Sequence, residues 1–437
     1  MSASHQLEVS AIDESGSTLS LSSAKLKSAT AMGLRKGSGS AFVIPLSGLS
    51  PGKHELCLSF ADRPEFVFPL SLVKESTGLT PRFEGAPPVC CPRIEKSIDT
   101  SGGATKHVFN LTFRLAKSHS EVLLVAGWDF SGGANNIAYC ESYRDDLYTG
   151  TTYRTGAKAN ITKRIGDATV VTTFDFKTGN RSRAMKGSSG WFEMDRVLQG
   201  TVKTHLGNYK TPANVQKRYL DNSISIKHVY DYIIELGSKA PGALKEFHIF
   251  SHAWAGGPIL VETYEAPLYD DGGARAAQRD PNDKDPRLKD FDPINMPRLK
   301  EFKAAFASDA IAKVWGCMAT TIYRNLIRAI ALAKSDTEKI SFDWVSGKET
   351  LPAGDAKKYL QQTIMRSTYM ARLSAAVGGG LKVYGAPPGM GADLRSVPAG
   401  GKTHNYMYVN NFTYKREFDF LRKALGTVPD DTGYILF

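Results

Sequence analysis

Apolar and polar positions alternate in short runs over the first 75 residues: Leu7-Glu8-Val9, Thr18-Leu19-Ser20-Leu21, Ala41-Phe42-Val43-Ile44, Glu55 to Phe60 and Phe66 to Leu70. Alternation with period two turns one side of each run toward a core, and Gly, Ser and Pro separate the runs. The pattern predicts a small all-β, sandwich-like domain over residues 1–75. Residues 76–105 are rich in Pro, Gly, Ser and Thr, as in Gly85-Ala86-Pro87-Pro88 and Ser101-Gly102-Gly103, and read as a linker.

Beyond the linker the period changes. Glu121-Val122-Leu123-Leu124-Val125-Ala126, Asp167 to Phe176, Glu246 to Phe250, Ile311 to Trp315 and Leu381 to Tyr384 are apolar strand patterns. Helical spacing fills the intervals: Val229, Ile233 and Leu236 after Ile224, then 298–306, then Ile322, Leu326, Ile330 and Leu332 within 318–334, then 358–377. Strands alternating with helices predict an α/β domain over 106–437, a mostly parallel sheet covered by helices on both faces. A Pro- and Asp-rich stretch near 266–297 reads as a surface insertion.

In open parallel sheets ligands bind outside the carboxyl ends of the strands. Two residues with catalytic chemistry fall at such ends on consecutive strand patterns, His252 after Glu246 to Phe250 and Cys317 after Ile311 to Trp315. Cys317 precedes a helical pattern, whose N-terminal amides favour thiolate, and an imidazole nearby would assist and later protonate a leaving group. Gly316, Ala253, Gly256 and Gly257 leave room for a substrate backbone, and the backbone amide of Cys317 and an amide of the 253–257 turn are candidate oxyanion donors. The bland reading stands beside this one: Cys is among the most buried residue types, and a lone His after a strand is often structural.

A strand ending in Ser-His with small residues after it, then a helix, then a strand ending in Gly-Cys resembles the caspase-like fold of cysteine peptidases, the group of caspases, legumains, gingipains and self-cleaving toxin domains. Val383-Tyr384-Gly385-Ala386-Pro387-Pro388 looks like the next strand and loop of that fold. The resemblance covers about 120–390 in strand order and is specific around 250–258 and 314–319. It implies His252 as general acid/base, Cys317 as nucleophile and a protein or peptide substrate, with no cofactor. Two positions depart from the family: Ala253 stands where Gly usually follows the histidine, with the bulky Trp254 next, and Trp315-Gly316 stands where an acidic residue usually precedes the cysteine.

Other motifs are weaker. Ala253 occupies the place a Gly-x-Ser-x-Gly elbow would give its serine, and Gly400-Gly401-Lys402-Thr403 lacks the first glycine of a phosphate loop, having Ser396 there. No metal-ligand spacing occurs, and Cys90-Cys91 lies beside Pro92. Asp129 and Asp175, after the first and second strand patterns, could reach the cleft or cap their turns; Asp270 and Asp271 could line an acidic pocket or sit in a solvated loop.

Five cysteines in 437 residues exclude a disulfide scaffold. Lys and Arg (55) exceed Asp and Glu (44), a formal charge of +11, yet no run of basic residues marks a nucleic-acid arm. The first ten residues lack a basic and an apolar region, and no run approaches the roughly 18 apolar residues of a membrane span. A soluble chain, cytoplasmic as synthesised, is expected, with export that reads no N-terminal signal left open. The sequence therefore offers three functions: a Cys–His peptidase, a deamidase or transamidase using the same pair, and a non-catalytic binding or effector protein. It is silent on oligomeric state.

Overall fold

The computed structural model describes residues 4–13, 15–27, 35–36, 41–84, 91, 93–115, 118–129, 135–149, 153–155, 159–161, 168–186, 190–200, 224–254, 256–262, 288–318, 321–344, 347–399, 402–409, 415–430 and 432–437. The chain divides into two compact units. The first comprises Met1–Ser120, Thr169–Val171 and Ser182–Val197; the second comprises Glu121–Ala168, Thr172–Arg181 and Leu198–Phe437.

The first unit contains a five-stranded and a four-stranded sheet. In the former, Ser4–Ile12 lies between Phe42–Pro45, antiparallel, and Lys106–Arg114, parallel, and Glu95–Asp99 closes the edge. The latter runs Leu21–Lys27, Gly52–Phe60, Phe66–Glu75, Gly78–Phe83, every pair antiparallel. Alternation is visible in burial: Leu7, Val9 and Ala11 are inaccessible, and with Leu56, Leu58, Phe68, Leu70, Phe109, Leu111 and Phe113 they form one cluster. Residues 76–105, read from composition as a linker, carry two of these strands. Ser76 and Thr77 form a tight turn where Glu75 pairs with Gly78, and Ser101 and Gly102 form another after Asp99.

Two methionines of the returning segment, Met185 and Met194, join that cluster. The same segment supplies a buried ion pair, Arg183 with Asp195; Arg183 also donates to the Glu65 carbonyl, and its guanidinium lies 4.9 Å from the Phe66 ring centre.

Six neighbouring strands of an eight-stranded mixed sheet position the site: β1 (Glu121–Ala126), β2 (Val170–Asp175), β3 (Leu244–Phe250), β4 (Phe306–Val314), β5 (Lys382–Gly385) and β6 (Ile435–Leu436), in the order β2-β1-β3-β4-β5-β6. The pairs β1–β3, β3–β4 and β4–β5 are parallel and β5–β6 is antiparallel. Val122 to Ala126, Phe247, Ile249, Ala312, Val314 and Val383 are buried, which explains the near-continuous apolar strands.

Helix α1 (Ile137–Thr149) follows β1, α2 (Ile226–Lys239) precedes β3, α3 (Leu299–Ala305) precedes β4 and α4 (Thr321–Leu332) follows it. The Ser225 amide donates to His228 Nδ1 at 3.0 Å at the start of α2, which buries Val229, Ile233 and Leu236. Helix α4 buries Leu326, Ile327 and Ile330, whereas Leu332, expected inside, is exposed as the last helical residue.

The single helix expected over 358–377 is broken. An α-turn (Ala353–Tyr359), a π-turn (Leu360–Ile364) and a 3₁₀ turn (Met365–Ser367) lead to α5 (Tyr369–Val377). Thr368 is extended and its hydroxyl accepts from the Ala371 amide at 3.2 Å, so it starts a new helix and cannot continue the old one. A hairpin, Lys339–Trp344 with Gly347–Pro352, precedes this region. The expected insertion near 266–297 lies outside the described residues up to 287, and Asp270 and Asp271 with it. No helix among the described residues is long and apolar enough to cross a membrane.

Candidate active site

The carboxyl ends of β1, β3 and β4 are level. Ala126 pairs with Phe250 and Ile249 with Val314, and the pairing runs one residue further through Gly127 N–H to Phe250 O (2.8 Å) and Trp315 N–H to Ile249 O (2.9 Å). Beyond β3 the chain forms a short antiparallel ribbon, His252–Trp254 against Gly257–Ile259, with His252 opposite Ile259 and Ala253 opposite Pro258. His252 is exposed, Ser251 and Ala253 are buried, and Cys317 is half-buried.

Two glycines allow the three ends to converge. A Cβ on Gly127 would lie 2.6 Å from the Ser251 Cβ; one on Gly316 would lie 2.3 Å from the Ala253 Cβ and 2.7 Å from both the Ala253 nitrogen and the Ser251 oxygen. Residues 251–253 and 316 are thus in backbone contact, and the Cys317 thiol donates to the Ala253 carbonyl at 3.4 Å.

Pro258 sets the orientation of that ribbon. An antiparallel pair either exchanges two N–H···O bonds or none, and proline has no N–H, so Ala253 and Pro258 form a non-bonded pair. The Ala253 amide and carbonyl therefore face away from Pro258, the carbonyl reaching the Cys317 thiol, and the Ala253 nitrogen lies close to Gly316.

Beneath Cys317 lies a buried polar chain that apolar periodicity passed over. The Trp315 indole donates to His248 Nδ1 at 3.1 Å. Indole is only a donor, so Nδ1 is unprotonated and Nε2 carries the proton, which goes to Glu246 Oε2 at 2.9 Å. The Tyr143 hydroxyl donates to the same carboxylate oxygen. Phe250 stacks on Trp315 with centroids 5.2 Å apart, and the Tyr434 hydroxyl donates to the Trp315 carbonyl. Glu246 and His248 had one visible signal, two polar residues spaced two apart and so on the same side of a mostly apolar strand.

The remaining candidates divide. Gly256 and Gly257 are buried in the ribbon with His252, and Trp254 pairs with Gly257. Asp175 ends β2 and closes its own turn, accepting from the Lys177 amide and the Thr178 hydroxyl, both at 2.9 Å. Asp129 lies just past β1, in a two-residue strand pairing with Val261–Glu262. The loop after β5 reaches the site from the other side: Met318 N–H bonds Met390 O at 2.9 Å and Gly389 N–H bonds Met318 O at 2.8 Å.

Burial separates the cysteines. It pushes the Cys57 thiol up to about 11 and the Cys91 thiol up to about 12, and raises Cys140 well above its ordinary value. All three are buried; Cys317 alone among the described cysteines reaches solvent, and Cys90 lies outside the described residues. Among the described residues no group of three His, Cys, Asp or Glu is placed to hold a metal ion.

No protein-family model matches this chain, and no curated protein or solved structure matches it.

Proposed function

We propose that this chain is a Cys–His hydrolase of caspase-like architecture, cleaving peptide amides through a thioester, with helices on both faces of its sheet and the first unit as an appended β-domain. One observation carries the reading: the thiol of Cys317 lies 3.4 Å from the carbonyl of Ala253, the residue joined to His252, where the ends of two adjacent parallel strands meet.

In this reading His252 accepts the Cys317 proton and the sulfur attacks the carbonyl carbon of a peptide bond, its electron pair moving to oxygen. The amide of Ala253, turned away from Pro258, is a donor for that oxyanion. Collapse of the tetrahedral adduct expels the amine, which takes the proton from His252. Water then attacks the thioester, giving one proton to His252, and the acid product leaves as the thiol is restored. The change from the family's Gly to Ala253 keeps the amide. Deamidation and transamidation follow the same steps with a side-chain amide as substrate or an amine replacing water.

The binding-protein reading draws support from the same contact, because a thiol donating to a backbone carbonyl is also how an inert cysteine is satisfied. Alkylation by iodoacetamide near pH 6 separates the two. Selective modification of Cys317, with peptide hydrolysis abolished by Cys317→Ala, is the expected result; a Cys317 that reacts no faster than free cysteine at that pH would overturn the peptidase reading.

A further inference from the structure

The turn Trp315-Gly316-Cys317 is held from below on both sides of one residue. The Trp315 side chain is fixed by its indole bond to His248 and by the Phe250 stack, and its carbonyl by the hydroxyl of Tyr434. Tyr434 comes from the far end of the chain and is fully buried. It is itself anchored. Asp430 accepts from the Tyr434 amide at 3.0 Å, and the segment beyond it forms β6, with Phe437 N–H bonding Val383 O at 2.9 Å. Lys313 reinforces the packing: its ammonium lies 3.9 Å from the Trp315 ring centre and 4.4 Å from that of Tyr434, while bonding Asp430.

Such an arrangement exceeds what packing alone requires. An aromatic ring would fill the space without a hydroxyl, yet this hydroxyl meets the carbonyl two residues before the thiol. The Tyr434 phenol is pushed well above its ordinary value by burial, with Asp430 and Cys317 adding to it, so it remains a neutral donor. We infer that Tyr434 is a positioning residue for Cys317: through the Trp315 carbonyl, and against the His248 hold on the indole, it sets the turn that presents the thiol. This rests on Cys317 as the nucleophile, and makes the C-terminal strand a requirement for its reactivity.

The test is the rate of iodoacetamide alkylation at Cys317 across roughly pH 5 to 9, read by peptide mass mapping in the full-length wild-type protein and in Tyr434→Phe. Tyr434→Phe is expected to slow alkylation about fivefold, the scale of one neutral hydrogen bond, and to move the midpoint of the pH profile upward. Tyr232→Phe is the control: it removes a buried hydroxyl that bonds Glu121 at 2.7 Å, and it should leave rate and midpoint at wild-type values. Should Tyr434→Phe not fold, Trp315→Phe removes the bond to His248 and should slow alkylation similarly.

A Tyr434→Phe profile matching wild type at every pH would overturn the inference, as would equal slowing in Tyr232→Phe, which would mark a general loosening. An ordinary thiol profile for wild-type Cys317 would count against the catalytic reading instead. The comparison of rates above pH 8 tests the positioning in either case.

Discussion

Gly316 and Ala253 touch backbone to backbone, so closely that a methyl group on Gly316 would lie 2.3 Å from the methyl of Ala253. Neither side can retreat cheaply, because Gly316 follows β4 and Ala253 belongs to a ribbon fixed by β3. Gly316→Ala is expected to destabilise the protein by about 1–3 kcal/mol, the usual cost of overpacking, and to slow Cys317 alkylation. Adding Ala253→Gly removes one clash and should restore part of the loss. Urea midpoints for the two variants check this, and an unchanged midpoint for Gly316→Ala would defeat it.

The buried pair Arg183–Asp195 predicts a second asymmetry. Arg183→Met leaves the Asp195 carboxylate buried without its cation, at a cost of about 3–5 kcal/mol. Joining Asp195→Leu to it should recover much of that stability, because the isolated charge and not the absent pair is the penalty. A double variant no more stable than the single one would contradict this account.

Asp146 makes stability fall as pH rises. Burial, with the charge of Asp145 beside it, pushes its carboxyl up to about 8, and His404 Nδ1 lies 3.0 Å from its Oδ1. The folded value exceeds the unfolded value of about 3.9, so the folded state holds the proton more tightly. This contribution is complete below pH 4 and is lost as pH rises toward 8. Asp146→Asn, which keeps the shape of the side chain but cannot titrate, should flatten the thermal midpoint between pH 5 and pH 8. A wild-type-like slope in that variant would refute the assignment.

Asp430 acts in the opposite direction. Burial alone would raise its carboxyl, but the Lys313 ammonium and the hydrogen bonds from Lys313, Thr432 and the Tyr434 amide outweigh burial and hold it below the ordinary range. Its contribution is therefore present above the unfolded value and disappears as pH falls through the folded one. Lys313→Met should cost about 1–3 kcal/mol near neutrality, less than a fully enclosed pair because the Asp430 side chain is partly exposed. It should also shift acid unfolding to higher pH, measured by circular dichroism.

How much could be read beforehand depends on where the determining contacts lie. Glu121–Ala126 was legible to the residue because a strand buried on both faces writes itself as an unbroken apolar run. The placement of His252 and Cys317 just past two paired parallel strands was legible because both apolar runs stop there. The break at Thr368 was not, since a threonine among helix formers announces a cap only when its backbone is known to be extended. The hairpin Lys339–Pro352 was hidden by Lys, Asp, Gly and Glu, the composition of a loop. Tyr434 gave no periodic signal, and Glu246 and His248 gave only the polar side of one strand. Their meaning depends on Trp315, 67 residues from His248 and 119 from Tyr434, and only the folded chain brings the three together.

The return of residues 182–197 to the first unit has a bearing on any attempt to take the molecule apart. Cutting the chain after Ser120 would yield a piece with every strand of both small sheets but without Met185 and Met194 from its interior and without either partner of the Arg183–Asp195 pair. A gene trimmed at that point should express a fragment that aggregates or melts early, and a fusion grafting residues 1–120 onto another protein would carry the same defect. The N-terminal β-region is a module in space and not in the reading frame, so its role is better probed by substitution than by deletion.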